Sequence, residues 1–202
     1  MAGERLAGFV VEQTPEVSRG PVRADLTGAV LHPYHYALLC TQLALDTTRC
    51  DGPRLLGEAA ENAFYRQLDR HCREHGARAT ADRLTVAREA WRRAGMGRVE
   101  FPAVGPDSLT AVMDRSLVDI CWVRRWGRPD APVNHIGRGF VAAVAALMSD
   151  LPPGLFAVEE CASLARGDGA SVFRAAIKQG RAHERRSQTR GGRVHADPGR
   201  RG

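Results

Sequence analysis

The chain contains no Cys-x-x-Cys pair, and its five cysteines, at 40, 50, 72, 121 and 161, are odd in number and scattered. That pattern excludes a disulfide framework and predicts reduced thiols in a cytoplasmic protein. No run of about 18 apolar residues is available to span a membrane. The opening stretch MAGERLAGFVVEQ places only a short apolar run between charges, unlike a signal peptide. A GxxxxGK[ST] phosphate loop is missing, as is any internal repeat. Lysine occurs once, so arginine supplies nearly all of the 29 basic residues, which reads as a coding bias rather than a function.

What charge imbalance exists is confined to one end. The net charge of +6 is carried by residues 178–202, which hold eight basic residues against Glu184 and Asp197. Residues 1–177 are balanced, with 21 of each sign. A basic nucleic-acid-binding face on the folded part is therefore not implied, and no specific nucleic-acid partner is expected. The tail has almost no apolar residues and reads as a solvated, disordered extension. The 202 residues suffice for one domain that needs no covalent staples.

The apolar periodicity orders the rest. Residues 1–29 form an extension in which GFVVE could be a strand. HPYHYALLCTQLAL, residues 32–45, has Pro33 near a first turn and apolar residues at helical spacing. A second helix runs from Arg54 to His75 with Leu56, Ala60, Ala63, Phe64, Leu68 and Cys72 as its stripe, stopped by Gly76. A third covers Ala79 to Ala94, with Leu84, Ala87, Trp91 and Ala94 on one face. RVEF (98–101) and SLTAVM (108–113) then read as a hairpin-like pair, with a short helix starting after Asp114. IGRGFVAAVAALM, residues 136–148, is apolar nearly all round and suits a buried helix against a sheet. LFAVEEC and ASVFRAAI, separated by ARGDG, form the last pair. Helices first and then ββαββ make an α+β domain spanning residues 30–177, with a mainly antiparallel sheet.

EECASLARGDGASVF, residues 159–173, resembles the closing signature E-x-x-C-x-x-x-G-D-x-x-C-x-F of the 4-vinyl reductase domain family. It aligns without a gap on Glu160, Ser163, Gly167, Asp168, Ser171 and Phe173. PVNHIGRGF resembles the family's P-V-C followed by G-F, with Asn134 at the cysteine position and Gly139-Phe140 after it. Gly95-Met96-Gly97, Ser116 and LLGEAAENAFYRQL extend the likeness over about residues 30–176. The family's relatives include aromatic-sensing domains of phenol and xylene response regulators and TRAPP vesicle-tethering subunits.

The resemblance implies a TRAPP-like fold, an apolar pocket between helices and sheet, and pairing of two copies through the first helices. In metal-binding members three cysteines and the glutamate hold zinc. Here those thiol positions are Asn134, Ser163 and Ser171, so the resemblance predicts a degenerate site and no metal. His135 and Cys161 are the neighbours that could substitute as ligands, although strand alternation turns Cys161 away from Glu160.

Candidate site residues follow. Met113 stands where aromatic-sensing members carry an aromatic residue, and is either pocket lining or core. Arg138 and Phe140 lie beside the lost ligand position, with Arg138 either paired to Glu160 or exposed. Trp122 and Trp126 could form an aromatic lid over a ligand. His135 has the ordinary pKa of a general base, Glu159, Glu160 or Asp114 could orient it, and Cys121 could be a nucleophile if a cation lowered its thiol pKa. Two functions compete. One is a small-molecule-binding accessory or sensor domain that takes an apolar or aromatic compound without a cofactor. The other is a cofactor-independent hydrolase, cyclase or isomerase built on His135, Glu160 and Cys121. SLARGDGASVF also resembles the closing motif of 2-aminothiazoline-carboxylate hydrolase-like proteins, except that this chain has Ser171 and Val172 in place of that motif's cysteine and aspartate.

Overall fold

The computed structural model describes residues 23–24, 27–28 and 34–178. The expected GFVVE strand and the basic tail beyond Lys178 lie outside these residues. A short antiparallel ladder pairs β1 (Arg23–Ala24) with β2 (Thr27–Gly28). Three helices follow: α1 (Tyr34–Asp46), α2 (Gly52–Glu74) and α3 (Thr80–Arg93). Then come β3 (Gly97–Val104), β4 (Ser108–Ser116), α4 (Leu117–Trp126), α5 (His135–Met148), β5 (Phe156–Ala162) and β6 (Ser171–Ile177).

The four long strands make one antiparallel sheet in the order β3-β4-β6-β5. β3 and β4 form a hairpin, β5 and β6 form another, and β4 joins them by pairing with β6 from Ser108↔Ala176 to Met113↔Ser171. The domain is α+β, as its apolar periods predict.

α5 is the central helix. Eleven of its fourteen residues are buried, because α2 covers one side and the sheet the other. Small residues permit the close approach: a Cβ on Gly139 would lie 2.2 Å from the carbonyl oxygen of Gly57 in α2. Trp91, Phe140 and Phe64 fill the space between helices, with ring centroids 4.4 Å apart for Trp91–Phe140 and 5.0 Å for Phe64–Phe140. Met113 and Phe173 close the same core from the sheet, both fully buried.

Two sequence expectations are corrected in detail. The strand that ends at Met113 by pattern continues to Ser116, because Gly97 and Arg98 of β3 still pair with Ser116 and Arg115 and an Arg98–Asp114 ion pair bridges the hairpin. The helix therefore starts at Leu117. On α2, Ala63 is exposed while Glu61 and His71 are buried. Glu61 earns its place in the interior by accepting from the backbone N–H of Gly154 at 2.7 Å. Among the described residues no helix is long and apolar enough to cross a membrane.

Candidate functional site

The closing motif and the Asn134 segment meet at one buried polar cluster. Ser116 caps α4 and Asn134 caps α5, the latter accepting from Gly137 N–H at 2.8 Å. The same Asn134 amide donates to Ser116 Oγ at 2.9 Å and to Asp119 Oδ2 at 2.8 Å. From β6, Ser171 Oγ donates to Asp119 Oδ2 at 3.3 Å and accepts from Leu164 N–H at 2.9 Å. Ser163 N–H donates to Asp168 Oδ2 at 2.7 Å, and the turn between them passes through Gly167 at φ +104°, where a side chain would be strained. Ser116, Asp119, Asn134, Ser163 and Ser171 are fully buried and Glu160 nearly so.

Two carboxylates share this interior. Burial pushes Asp119 up, against hydrogen bonds from Ser116, Asn134 and Ser171. Burial, and then the neighbouring Asp119, push Glu160 up to about 7. Ser163 and Ser171 lie close enough to lower Glu160, yet neither of its oxygens nor Ser163 Oγ has a well-formed hydrogen bond. The single Ser171 hydroxyl proton points to Asp119, so it cannot serve both carboxylates at once. Glu160 is accordingly the carboxyl that holds a proton near neutrality.

These residues do not fit zinc. Asn134 spends both amide hydrogens and its carbonyl oxygen on protein partners, and neutral hydroxyls are poor donors to this cation. Cys161 is exposed on the other face of β5. Among the described residues no three His, Cys, Asp or Glu side chains gather around a point that could hold a metal ion.

Among the described residues no hydrogen bond joins the three proposed catalytic residues. His135 is buried at the start of α5, where Arg138 Nη1 donates to its Nδ1 at 3.1 Å. Nε2 therefore carries the ring proton, and that atom is buried without a partner. Burial, then Arg138, pushes the His135 pKa down to about 4. A ring whose lone pair is already engaged is a poor general base. Cys121 sits on α4, where burial pushes its thiol up despite Arg124. Arg138 is half-buried beside His135, and its charge reaches Glu160 only weakly.

The proposed ligand contacts divide in the same way. Met113 and Phe140 belong to the packed core. Trp122 stacks at a tilt on Trp126, with centroids 4.6 Å apart, over a second small core that includes Leu38 and Cys121. Beside this pair lies an open groove of about 690 Å³ between α1 and α4, lined by Leu38, Leu39, Leu117, Cys121 and Trp126 with Gln42, Arg124 and Arg125.

Comparison with solved structures places this architecture. The phenol-responsive sensory domain of the transcription activator PoxR, solved with phenol, superposes at a TM-score of 0.71 over 93% of this chain and 96% of that one, at 11% identity. The two chains share a fold. A trafficking protein particle complex subunit 3 from Naegleria fowleri, covalently bound to palmitic acid, matches at a TM-score of 0.47 and 15% identity over 72% of this chain and 92% of that one. Neither a protein-family model nor a curated protein sequence matches the chain.

Sequence reasoning missed Asp119, the acceptor on which the polar cluster converges. A signal was present: Ser116-x-x-Asp119 before an apolar run is a helix-capping pattern, which places the aspartate in the first turn beside the cap. It also missed the groove, whose lining comes from two helices far apart in sequence and carries no motif.

Proposed function

We propose that this chain is a small-molecule-binding accessory or sensor domain whose ligand, an apolar or aromatic compound, lies in the groove between α1 and α4. The observation that carries the reading is the groove itself: about 690 Å³, walled by leucines and Trp126, and within the size range of small-molecule sites. The phenol bound by the PoxR sensory domain, on the same fold, supports the ligand class. A cytoplasmic setting agrees with the five unpaired thiols. The enzyme alternative draws no support from His135, whose Nδ1 is engaged by Arg138, or from Cys121, whose thiol is pushed up by burial.

The outer face of α1 exposes Leu43, at 59%, beside Tyr36 and Cys40. We assign that face to pairing of two copies, the partner expected from the sequence. Light scattering on Leu43→Glu tests it: the variant is expected to be monomeric, and an unchanged assembly would remove the pairing.

Isothermal titration with naphthalene and phenol tests the ligand site. Cys121→Phe fills the floor of the groove without entering the main core. Binding by the wild type that is lost in Cys121→Phe is the expected result, and binding that survives the substitution would place the ligand elsewhere.

A further inference from the structure

The groove between α1 and α4 is apolar along its floor and basic at one end. Leu117, Cys121 and Arg124 recur at helical spacing on α4 and face the opening together, with Arg125 and Trp126 completing the final turn. Arg124 lines the opening one turn beyond Cys121 of the groove floor. Arg125 lies over the Trp126 ring, 6.0 Å from its centroid, which holds the guanidinium against the aromatic wall.

Neither arginine appears in an ion pair among the described residues, where Arg54, Arg73, Arg83, Arg88, Arg92, Arg93 and Arg98 each have a carboxylate partner. The C-terminal end of α4 favours cations there. That preference does not explain why two of them border an apolar cavity. On α1 the groove is lined by Leu38, Leu39 and Gln42, none of them charged, and Asp46, the one carboxylate of that helix, accepts from Gln42 at 2.7 Å.

We propose that the groove takes an amphipathic anion, an aromatic or alicyclic body carrying one carboxylate, with the body between Leu38, Leu117 and Trp126 and the carboxylate on Arg124 and Arg125. This rests on the groove being the ligand site. Guanidinium groups suit a carboxylate because their paired N–H donors match its two oxygens. A neutral compound of the same shape would gain the apolar contacts and forgo the charge-assisted hydrogen bonds. The inference therefore adds a discrimination to the bare apolar reading, which treats the two compounds alike.

Titration of the full chain with 1-naphthoate and with its neutral amide, 1-naphthamide, separates these possibilities. The expected result is naphthoate binding about tenfold tighter than naphthamide, the scale of a net charge-assisted hydrogen bond. Added salt should weaken only naphthoate. In Arg124→Gln/Arg125→Gln the ratio of the two affinities should fall to about one, and an unchanged urea-unfolding midpoint shows that the variant folds.

Equal affinity for both probes in the wild type, or a preference that survives the double substitution, would overturn the anion while leaving the groove as ligand site. Failure of both probes, or binding of both that persists in Cys121→Phe, would overturn the groove reading itself, and the anion with it. Probe affinity that falls as protein concentration rises would mean that a second copy fills the groove, and would likewise overturn the proposal.

Discussion

The buried polar cluster and the α1–α4 groove lie on different faces of the same helix. At the N-terminus of α4, Ser116, Asp119, Asn134 and Ser171 satisfy one another in a closed interior. Along the length of the helix, Leu117, Cys121, Arg124 and Trp126 border an open cavity. The first region carries every recognisable motif, and its chemistry is largely spent on holding two helix starts to the sheet. The second carries no motif and has the space and the unpaired charge to take a molecule. A recognisable pattern and an open cavity need not coincide, because a pattern records what the backbone requires as readily as what a ligand requires.

The contrast breaks most visibly if the polar cluster proves dispensable. Asn134→Ala removes a cap on α5 and two hydrogen bonds, leaving Asp119 short of a donor in a dry interior. A loss of about 4 kcal/mol in urea unfolding is expected from one cap and two buried bonds. A loss below about 1 kcal/mol would mean that the cluster is not what joins α4, α5 and β6.

The pH dependence comes next. Glu160 is raised from its usual 4.5 to about 7, so the folded state binds the proton more tightly than the unfolded chain. Stability from this group is full below pH 4.5 and falls as pH rises to about 7. Asp119, also raised, acts in the same direction. His135 does the reverse: held near 4 instead of 6.5, it costs stability when protonated, so stability rises between pH 4 and 6.5. Where these windows overlap the wild type should be nearly flat. Glu160→Gln keeps a neutral side chain at every pH, and at pH 8 it should be more stable than wild type by on the order of 3 kcal/mol. It should also unmask the His135 rise below pH 6.5. A variant that is less stable than wild type at pH 8 would show that the ionised carboxylate has a partner.

Metal removal sharpens the comparison further. A chelator should leave the melting temperature of the purified protein unchanged. Replacing Asn134, Ser163 and Ser171 together by cysteine should produce a chain that binds one zinc ion with Glu160, read by elemental analysis. Stoichiometric zinc in the wild type, lost with a drop in melting temperature, would overturn the reading of the cluster as a hydrogen-bonded closure. The smallest effect is expected at Cys161→Ser, because that thiol is exposed on the outer face of β5. Its stability should change by less than about 0.5 kcal/mol.

Much of the fold was legible before any coordinates. The stops at Gly76 and Gly95 and the apolar period of α2 and α3 marked the helices to within a few residues. The all-apolar character of 136–148 marked the central helix, since only a segment covered on both sides can be greasy all round. The convergence of Asn134, Ser163, Ser171 and Glu160 was legible only through a family resemblance. Burial of Asp119 was not, because an aspartate near a helix start is ordinarily a solvated cap. Glu61 and His71 escaped for the same reason: a polar residue looks exposed until its partner in another element is known.

By itself the sequence determined the elements, their order and the antiparallel hairpins, since each follows from local period or turn chemistry. Tertiary structure alone decided that β4 joins the two hairpins, that Asp119 is the hub of the polar cluster, and that a cavity opens between α1 and α4. These depend on which surfaces meet. Distances between residues far apart in the chain are set by packing of whole helices against a sheet, and no local pattern encodes them.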